Sequence, residues 1–418
     1  MPEIINNEYD IGKAFAAIED ELIASMIRNM RRHKAEESDE GMQWSMWQAE
    51  QLKALEKYKR ANEKKYGQQF RDINGQITEL IRMARDEGEM SQEIAILKAI
   101  QKGFKAQRIT RGASADFFRL NERKLEALIQ ATVNDMKKAE TAVLRMANDQ
   151  YRKAIFNAQV YANTGAGTYE KAVDMATKDF LGAGLNCIEY ANGARHTLSD
   201  YADMAIRTAS KRAYLYGEGV KRNEWGIHTV IVNKRGNPCP KCLPFCGKVM
   251  IDDVWSGGSS RDGPYPLISY AVEKGLYHPR CKDSHTTYFP GISTGDDEWT
   301  AEELEDIEIL AKAQARQQYA KRQDEKFKRL EKHSLDAENQ ERYGQKADKW
   351  KDMVDNGGRK EEALKAKYEA EYGIKLDSKT EKMLEQLEES RKKTEEAKQD
   401  LIRTYMEVRA CLTRMHRT

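Results

Sequence analysis

The chain has 418 residues, of which 33% are charged and 40% are hydrophobic. Lys and Arg number 70 against 68 Asp and Glu, and the formal net charge of +2 excludes a protein that coats nucleic acid through its overall charge, although a local basic patch stays open. No apolar run approaches the ~20 residues of a membrane-spanning helix, and the first residues lack the pattern of a secretory signal. We therefore expect a protein of the reducing cytoplasm, without membrane contact and without disulfides.

Proline positions divide the chain into regions that can and cannot be long helices. Seven of the eight prolines lie between Pro238 and Pro290, and the eighth is Pro2. Because proline costs about 3 kcal/mol in a helix interior, long helices fit 3–237 and 291–418 but not the middle. The sequence predicts a mainly α protein with long helices, a small α+β Cys/His module and a charged helical C-terminal tail.

Residues 1–115 form the first predicted region, an N-terminal helical region. Apolar residues recur by threes and fours from Ile18 to Met30, and a second stripe begins at Ile77. Glycines interrupt the pattern, so we expect several short helices here. The expected breaks are Gly75, Gly88, Gly103 and Gly112.

Residues 116–225 form the second region, a helical domain. Helical periodicity predicts one long helix over 116–161, and shorter helices follow at 169–181 and 197–217. A Gly-containing turn is expected at 163–168, and Thr168 is expected to cap the next helix. The later part of this region is basic, which fits either a phosphate-binding surface or a solvated helix face. Its basic residues are Arg195, Arg207, Lys211, Arg212, Lys221 and Arg222.

Residues 226–292 form the third region, the α+β Cys/His module. The β-branched stretch 227–233 predicts a strand, with 248–251 as its partner. Two Cys/His pairs, each separated by two residues, follow at a distance that lets four ligands meet on one tetrahedral structural Zn²⁺. The predicted metal ligands are Cys239, Cys242, His278 and Cys281, with Cys246 and His285 as substitutes.

Two other interpretations of the Cys/His cluster stay open. The cysteines fit small buried core residues whose histidine neighbours bond to the backbone. A catalytic zinc would need an open coordination position and a nearby acid, for which Asp283 and Glu273 are available. A deaminase-like site would need His-x-Glu before the Pro-Cys-x-x-Cys motif, and the sequence has none there.

Residues 293–418 form the fourth region, the charged tail. Over 296–418 there are 27 Lys and Arg and 30 Asp and Glu, interleaved as on a solvent-exposed helix. This pattern predicts a helical hairpin or an imperfect coiled coil, with its break at Asn356-Gly357-Gly358. A partial apolar seam supports the coiled coil. Its members are Met383, Leu387, Ala397, Leu401 and Val408.

The order of motifs resembles the phage minor capsid protein 2 family and the related head-morphogenesis proteins of the Mu F type. The resemblance covers roughly 1–355. It is carried by the segments 239–250 and 278–293 and by residues of a Gly turn and the helix after it. These residues are Tyr190, Gly193, Arg195, Arg207 and Thr208.

The resemblance implies a virion structural protein without catalysis. Such a protein is made in the bacterial host, is present in few copies, lies at the portal vertex or capsid interior, and contacts portal and capsid proteins. It implies no small-molecule substrate. Two alternatives remain: a zinc-knuckle module that contacts packaged DNA, and a toxin-like transferase or nuclease within 160–293.

Overall fold

The computed structural model describes residues 8–34, 37–38, 41–106, 108, 111–161, 168–234, 238–295 and 297–371. Long helices dominate this part of the chain, in agreement with the predicted fold class. No helix within it is both long and apolar enough to cross a membrane. The helices are α1 (Glu8–Arg32), α2 (Trp44–Gln101), α3 (Arg111–Tyr161), α4 (Tyr169–Ala183), α5 (Leu198–Glu224), α6 (Ile268–Glu273), α7 (Ala301–His333) and α8 (Ala337–Glu371).

The strands are short and form three small sheets. β1 (Glu37–Ser38) pairs with β2 (Gly41–Met42), and β3 (Ile188–Glu189) pairs with β4 (Arg195–His196). The largest sheet has three antiparallel strands in the order β6-β5-β7. Its strands are β5 (Thr229–Val232), β6 (Val249–Ile251) and β7 (His285–Thr287).

The N-terminal region is not a set of short helices, so that prediction was wrong. α2 runs unbroken for 58 residues through Gly75 and Gly88, and Gly112 lies in the first turn of α3. Only Gly103 behaves as expected, since it follows the end of α2 with a φ of 98°.

The reason for Gly88 is close packing between helices. A Cβ atom at Gly88 would lie 2.1 Å from the carbonyl oxygen of Tyr214 on α5. The reverse holds for Gly217 of α5, where a Cβ would lie 1.9 Å from the carbonyl oxygen of Arg85. The two glycines let the backbones of α2 and α5 touch, which a Cβ on either helix would prevent.

The predicted helices of the second region are confirmed. α3 and α4 cover the predicted stretches with slightly extended ends, whereas α5 begins one residue later than predicted and runs seven residues further. The side chain of Thr168 caps α4 by accepting a hydrogen bond from the backbone N–H of Lys171 at 3.2 Å. The predicted turn at 163–168 falls outside the described residues except for Thr168.

One large apolar core joins the five long helices α1–α5. It contains, among others, Phe15 of α1, Ile77 of α2, Val143 of α3 and Ile206 of α5. A second core forms under the three-stranded sheet, where Leu215 of α5 packs with residues of β5, β6 and the cysteine turn. α5 therefore contributes side chains to both cores, and it positions the Cys/His module against the helices.

The predicted strand pair is confirmed, and one strand was missed. Val230 of β5 pairs with Met250 of β6, and Val232 pairs with His285 of β7. β7 has only three residues, His-Thr-Thr, with no apolar side chain. Its strand conformation comes from pairing with β5, which the local sequence does not reveal.

The charged tail begins as the predicted helical hairpin, with its turn in another place. α7 and α8 are joined at 334–336, and α8 continues through Asn356, Gly357 and Gly358, so the break predicted there was wrong. Aromatic pairs join the two helices: Tyr319 with Trp350, and Phe327 with Tyr343. The seam from Met383 to Val408 lies outside the described residues.

A carboxylate from α4 fixes the hairpin turn. Asp174, 5% exposed, accepts hydrogen bonds from the backbone N–H groups of Leu335 and Asp336 and from the side chain of Asn339. Leu330 and Tyr343 also enter the main core. By compactness the chain divides into two units, residues 1–355 and 356–418, and of the second the structure describes the helical residues 356–371.

Candidate metal centre

Two turns of the module carry the predicted ligands. In the first, between β5 and β6, the backbone N–H groups of Cys242 and Leu243 donate to the carbonyl oxygen of Cys239 at 3.0 and 2.9 Å. In the second, between α6 and β7, the N–H of Cys281 donates to the carbonyl oxygen of His278 at 2.9 Å.

The structure brings the four predicted ligands together. The Sγ atom of Cys239 lies 3.0 Å from Nε2 of His278, and the Sγ atoms of Cys242 and Cys281 are 3.4 Å apart. Each short contact joins one turn to the other. Residues separated by 39 positions thus bring sulfur and nitrogen donor atoms together as two close pairs, which could take part in holding a metal ion.

Asp283 is a fifth candidate that the ligand prediction left out. Its Oδ2 lies 3.5 Å from Sγ of Cys281, and the residue is 1% exposed. The donor atoms form two groups, and the atoms of each group lie within 4.8 Å of one another. Cys239, Cys242 and His278 form the first group, and Cys242, Cys281 and Asp283 form the second. Cys242 belongs to both. The Cys-x-Asp spacing after His278 was the available sequence signal.

The electrostatics of the thiols fit a site for a cation. Burial, together with the neighbouring Cys281 and Asp283, raises the pKa of Cys242, and burial also raises the pKa of Cys281. Burial opposes ionisation of Cys239 as well, but hydrogen bonds from His278 and from backbone N–H groups lower its pKa overall. A divalent cation would stabilise the thiolates, and the thiolate and imidazole donors suit Zn²⁺.

The second turn contains two non-glycine residues in the left-handed region. Tyr277 has a φ of 58° and Arg280 a φ of 65°, on either side of His278 and Pro279. This conformation is unfavourable for residues with a Cβ, so it persists where surrounding contacts impose it. Arg280 is held on α5 by hydrogen bonds from its backbone N–H to Thr208 and from its guanidinium to the carbonyl oxygen of Asp200.

The two substitute ligands lie outside both donor groups. Cys246 directs its Sγ to the carbonyl oxygen of Cys242 at 3.4 Å. Both ring nitrogens of His285 are engaged elsewhere: Nδ1 lies 2.8 Å from the hydroxyl of Tyr277, and Nε2 lies 3.0 Å from the guanidinium of Arg222. Since an arginine can only donate, Nε2 of His285 is the acceptor and Nδ1 carries the proton.

His285 belongs to a buried polar network beside the metal centre. Arg222 is 0% exposed, and its guanidinium lies 2.9 Å from Asp252 and 3.4 Å from Glu218. Burial and the charge of Arg222 hold the pKa of His285 well below its usual range. The network joins α5, the residue that follows β6, and β7. It also reaches the second turn through Tyr277.

One residue of the predicted basic stretch, Arg222, has a different role from either predicted one. Arg222 is buried, so it is neither solvated nor able to meet a phosphate. Arg207 pairs with Asp203 at 2.6 Å, and Lys221 pairs with Glu224 at 3.1 Å. Sequence reasoning missed the buried arginine because its acidic partner Asp252 is 30 residues away, whereas a local pattern shows only an exposed-looking basic helix.

Comparison with known proteins gives one family match. The family model described as phage minor capsid protein 2 matches residues 8–356. Neither the curated proteins nor the solved structures contain a significant match. The matched region includes the five-helix core, the metal centre, α7 and most of α8.

Proposed function

The chain belongs to the phage minor capsid protein 2 family, and from this premise we propose that it is a structural head component at the portal vertex or capsid interior. It acts in few copies and contacts portal and capsid proteins. It performs no catalysis. The match over residues 8–356 is the observation that carries this proposal, since it spans the large core and the module together.

The surface of the helices supports an assembly role. Apolar side chains stay exposed along one side of the second half of α2: Met90 is 58% exposed, Ile94 46% and Leu97 45%. Their spacing of four and three residues places them on one helical face. Exposed apolar faces of this kind are typical of surfaces that partner proteins bury.

The metal centre serves this role as a structural brace. We propose one Zn²⁺ bound by Cys239, Cys242, His278 and Cys281, with Asp283 next to Cys281. The module has only a small core, and four ligands on two turns would crosslink segments that hydrogen bonds alone hold weakly. The metal would supply a fixed tetrahedral connection between the turns, and the polar network of Arg222 supports the second turn from below.

Quantitative mass spectrometry of purified heads and assembly intermediates tests the proposed location. The chain should be present at a few copies per particle, and it should co-purify with the portal protein from assembly intermediates. Its complete absence from both heads and intermediates would overturn the proposal. Its presence at the copy number of the major capsid protein would overturn the minor, portal-associated role.

A further inference from the structure

The two turns that carry the metal ligands are basic. Residues 238–250 and 274–282 together contain five Lys and Arg, and the acidic residues that adjoin the second segment are Glu273 and the buried Asp283. The five basic residues are Lys241, Lys248, Lys274, Arg280 and Lys282.

Four of these side chains are exposed and surround the metal centre. Lys241 follows Pro240 in the first turn and reaches the second segment, where a Cβ on Gly275 would lie 3.3 Å from its Cδ. Lys274 precedes that glycine. Arg280 and Lys282 flank the ligand Cys281. We call Lys241, Lys274, Arg280 and Lys282 the basic collar.

Three members of the collar differ from other basic residues of the chain in their lack of acidic partners. Within the described residues, Lys241, Lys274 and Lys282 make no ion pair, whereas the guanidinium of Arg280 pairs with Asp200 at 4.0 Å. Arg207 and Lys221 on α5 likewise have acidic partners. Exposed lysines without an ion pair create a local positive potential that attracts a polyanion.

The backbone that carries the collar is held in place by the fold, and this bears on the kind of ligand that the collar can bind. The left-handed Arg280 is fixed on α5 by the hydrogen bond from its backbone N–H to Thr208, and Lys241, Arg280 and Lys282 lie between or beside predicted metal ligands. Tyr270, 53% exposed, stands next to Lys274, whose Nζ lies 5.8 Å from the ring centre. Cations beside an exposed aromatic ring suit a nucleic acid better than an acidic peptide, because the phosphates meet the cations and an unpaired base at a strand end can stack on the ring.

We propose that the basic collar binds the phosphate backbone of nucleic acid. Lysine is a flexible point charge that contacts phosphate without reading bases, so the binding is independent of sequence. The inference rests on the proposed function only in its choice of DNA, which is the polyanion inside a phage head. The site thus gives a near-neutral protein one face that contacts the genome.

Fluorescence anisotropy with a labelled duplex of about 20 base pairs, titrated at several salt concentrations, tests the collar in the full chain. The variant combines Lys241→Ala, Lys274→Ala and Lys282→Ala, and it spares Arg280 because that residue also holds the turn. We expect the slope of log K against log salt to fall by up to about 3, one for each lysine. Affinity at the lowest salt should fall about tenfold or more.

Lys57→Ala with Lys64→Ala, two exposed lysines of α2, is the matched control and should leave both values unchanged. Metal content and circular dichroism establish that each variant is folded. If the triple variant does not fold, Lys274→Glu alone replaces it, since Lys274 is exposed on the short segment after α6.

Three results would overturn the inference. One is wild-type protein without salt-dependent DNA binding, and another is a triple variant whose affinity and slope equal those of the wild type. The third is a triple variant that keeps DNA binding but no longer co-purifies with capsid or portal proteins, which would identify an acidic protein as the ligand. A chain found in heads but unable to bind DNA would leave the proposed function intact while the collar inference fails.

Discussion

At the scale of single residues, Gly88 and Gly217 have no room for a side chain. Each lies against the backbone of the opposite helix, so an added methyl group meets atoms that cannot rotate away. We expect Gly88→Ala and Gly217→Ala each to lower the free energy of unfolding by about 1–3 kcal/mol through overpacking. Chemical denaturation measures the change in midpoint.

Gly75→Ala is the matched control on the same helix. A Cβ at Gly75 meets nothing within 4 Å. Because alanine favours helix over glycine, this change should raise the free energy of unfolding by about 0.5–1 kcal/mol. Equal effects at Gly75 and Gly88 would show that helix propensity, and not the crossing of α2 and α5, governs these positions.

Glu140 gives a prediction about pH. It is 6% exposed and accepts a hydrogen bond from Asn74, and burial raises its pKa to about 7. The folded state therefore binds a proton more tightly than the unfolded state, so Glu140 costs stability as pH rises from 4.5 to 7. Glu140→Gln lacks this cost, and its stability relative to wild type should rise by up to about 3 kcal/mol between about pH 5 and pH 8.

Denaturation midpoints of both proteins at the two pH values test this expectation. Glu63→Gln, which changes an exposed residue of α2, is the control. The difference in stability between this variant and the wild type should be small and similar at the two pH values. A Glu140→Gln variant with the same relative stability at the lower and the higher pH would contradict a raised pKa for this carboxyl.

The predicted metal ligands and the buried arginine show what residue patterns can and cannot predict. Four residues could be predicted as ligands because short spacing constrains two ligands to one turn, and the structure places the two turns in contact. These residues are Cys239, Cys242, His278 and Cys281. Arg222 was beyond reach, since its burial depends on Asp252 and His285, which only the fold brings to it.

At the scale of elements, the turn between α7 and α8 depends on one carboxylate. Asp174 accepts three hydrogen bonds from the turn while itself buried. Asp174→Ala leaves those donors unpaired, at a cost of about 1–3 kcal/mol for each buried group. We expect faster proteolytic cleavage at 334–336 while the remaining helices keep their protection.

Asp179→Ala provides the control for Asp174, because Asp179 is exposed on the same helix. Its cleavage pattern should match that of the wild type. A turn that stays protected in the Asp174 variant would indicate that Leu330 and Tyr343, through their places in the core, hold the hairpin by themselves.

Removal of metal should act on the module alone. We expect a chelator, or Cys281→Ser, to increase hydrogen exchange in the turns around Cys239 and Cys281, because the crosslink between them is lost. Helical circular dichroism should change little, since α1–α5 share a separate core. Metal-free protein with unchanged exchange in both turns would contradict the structural zinc.

The sequence predicted whether a segment is a helix or a strand more readily than the residues at which that element begins and ends. Apolar periodicity over α3 and the β-branched stretch of β5 specify local conformation, and both predictions were confirmed. α2 was divided wrongly because a glycine that breaks an isolated helix also serves close packing, and only the position of α5 decides between these roles. β7 was missed because its pairing with β5 is distant in sequence.

At the scale of the whole molecule, a truncation after residue 355 tests the role of the C-terminal residues in assembly separately from the folding of the rest of the chain. A truncation within α7, before Leu330, would remove Leu330 and Tyr343 from the main core. A truncation after Asp355 keeps both residues. We expect residues 1–355 to fold and to retain the proposed metal, and to enter heads less efficiently because an assembly surface is lost.

Circular dichroism, metal analysis and particle incorporation check the three parts of this prediction separately. Normal incorporation of residues 1–355 would show that residues 356–418 are not needed for assembly. A truncated chain that fails to fold would show instead that the division at residue 355 does not delimit an independent folding unit.

The length of α2 has a mechanical consequence. At about 1.5 Å per residue, its 58 residues extend about 87 Å, and the Gly88 crossing lies about 66 Å from its first residue. Ile96 and Ala99, beyond that crossing, pack with Ile227 and Phe289 of the sheet module. Before the crossing α2 is packed into the main core, and beyond it the same helix is packed into the smaller core beside the sheet. A partner that pushes on the module would therefore load one continuous helix that is anchored in both cores.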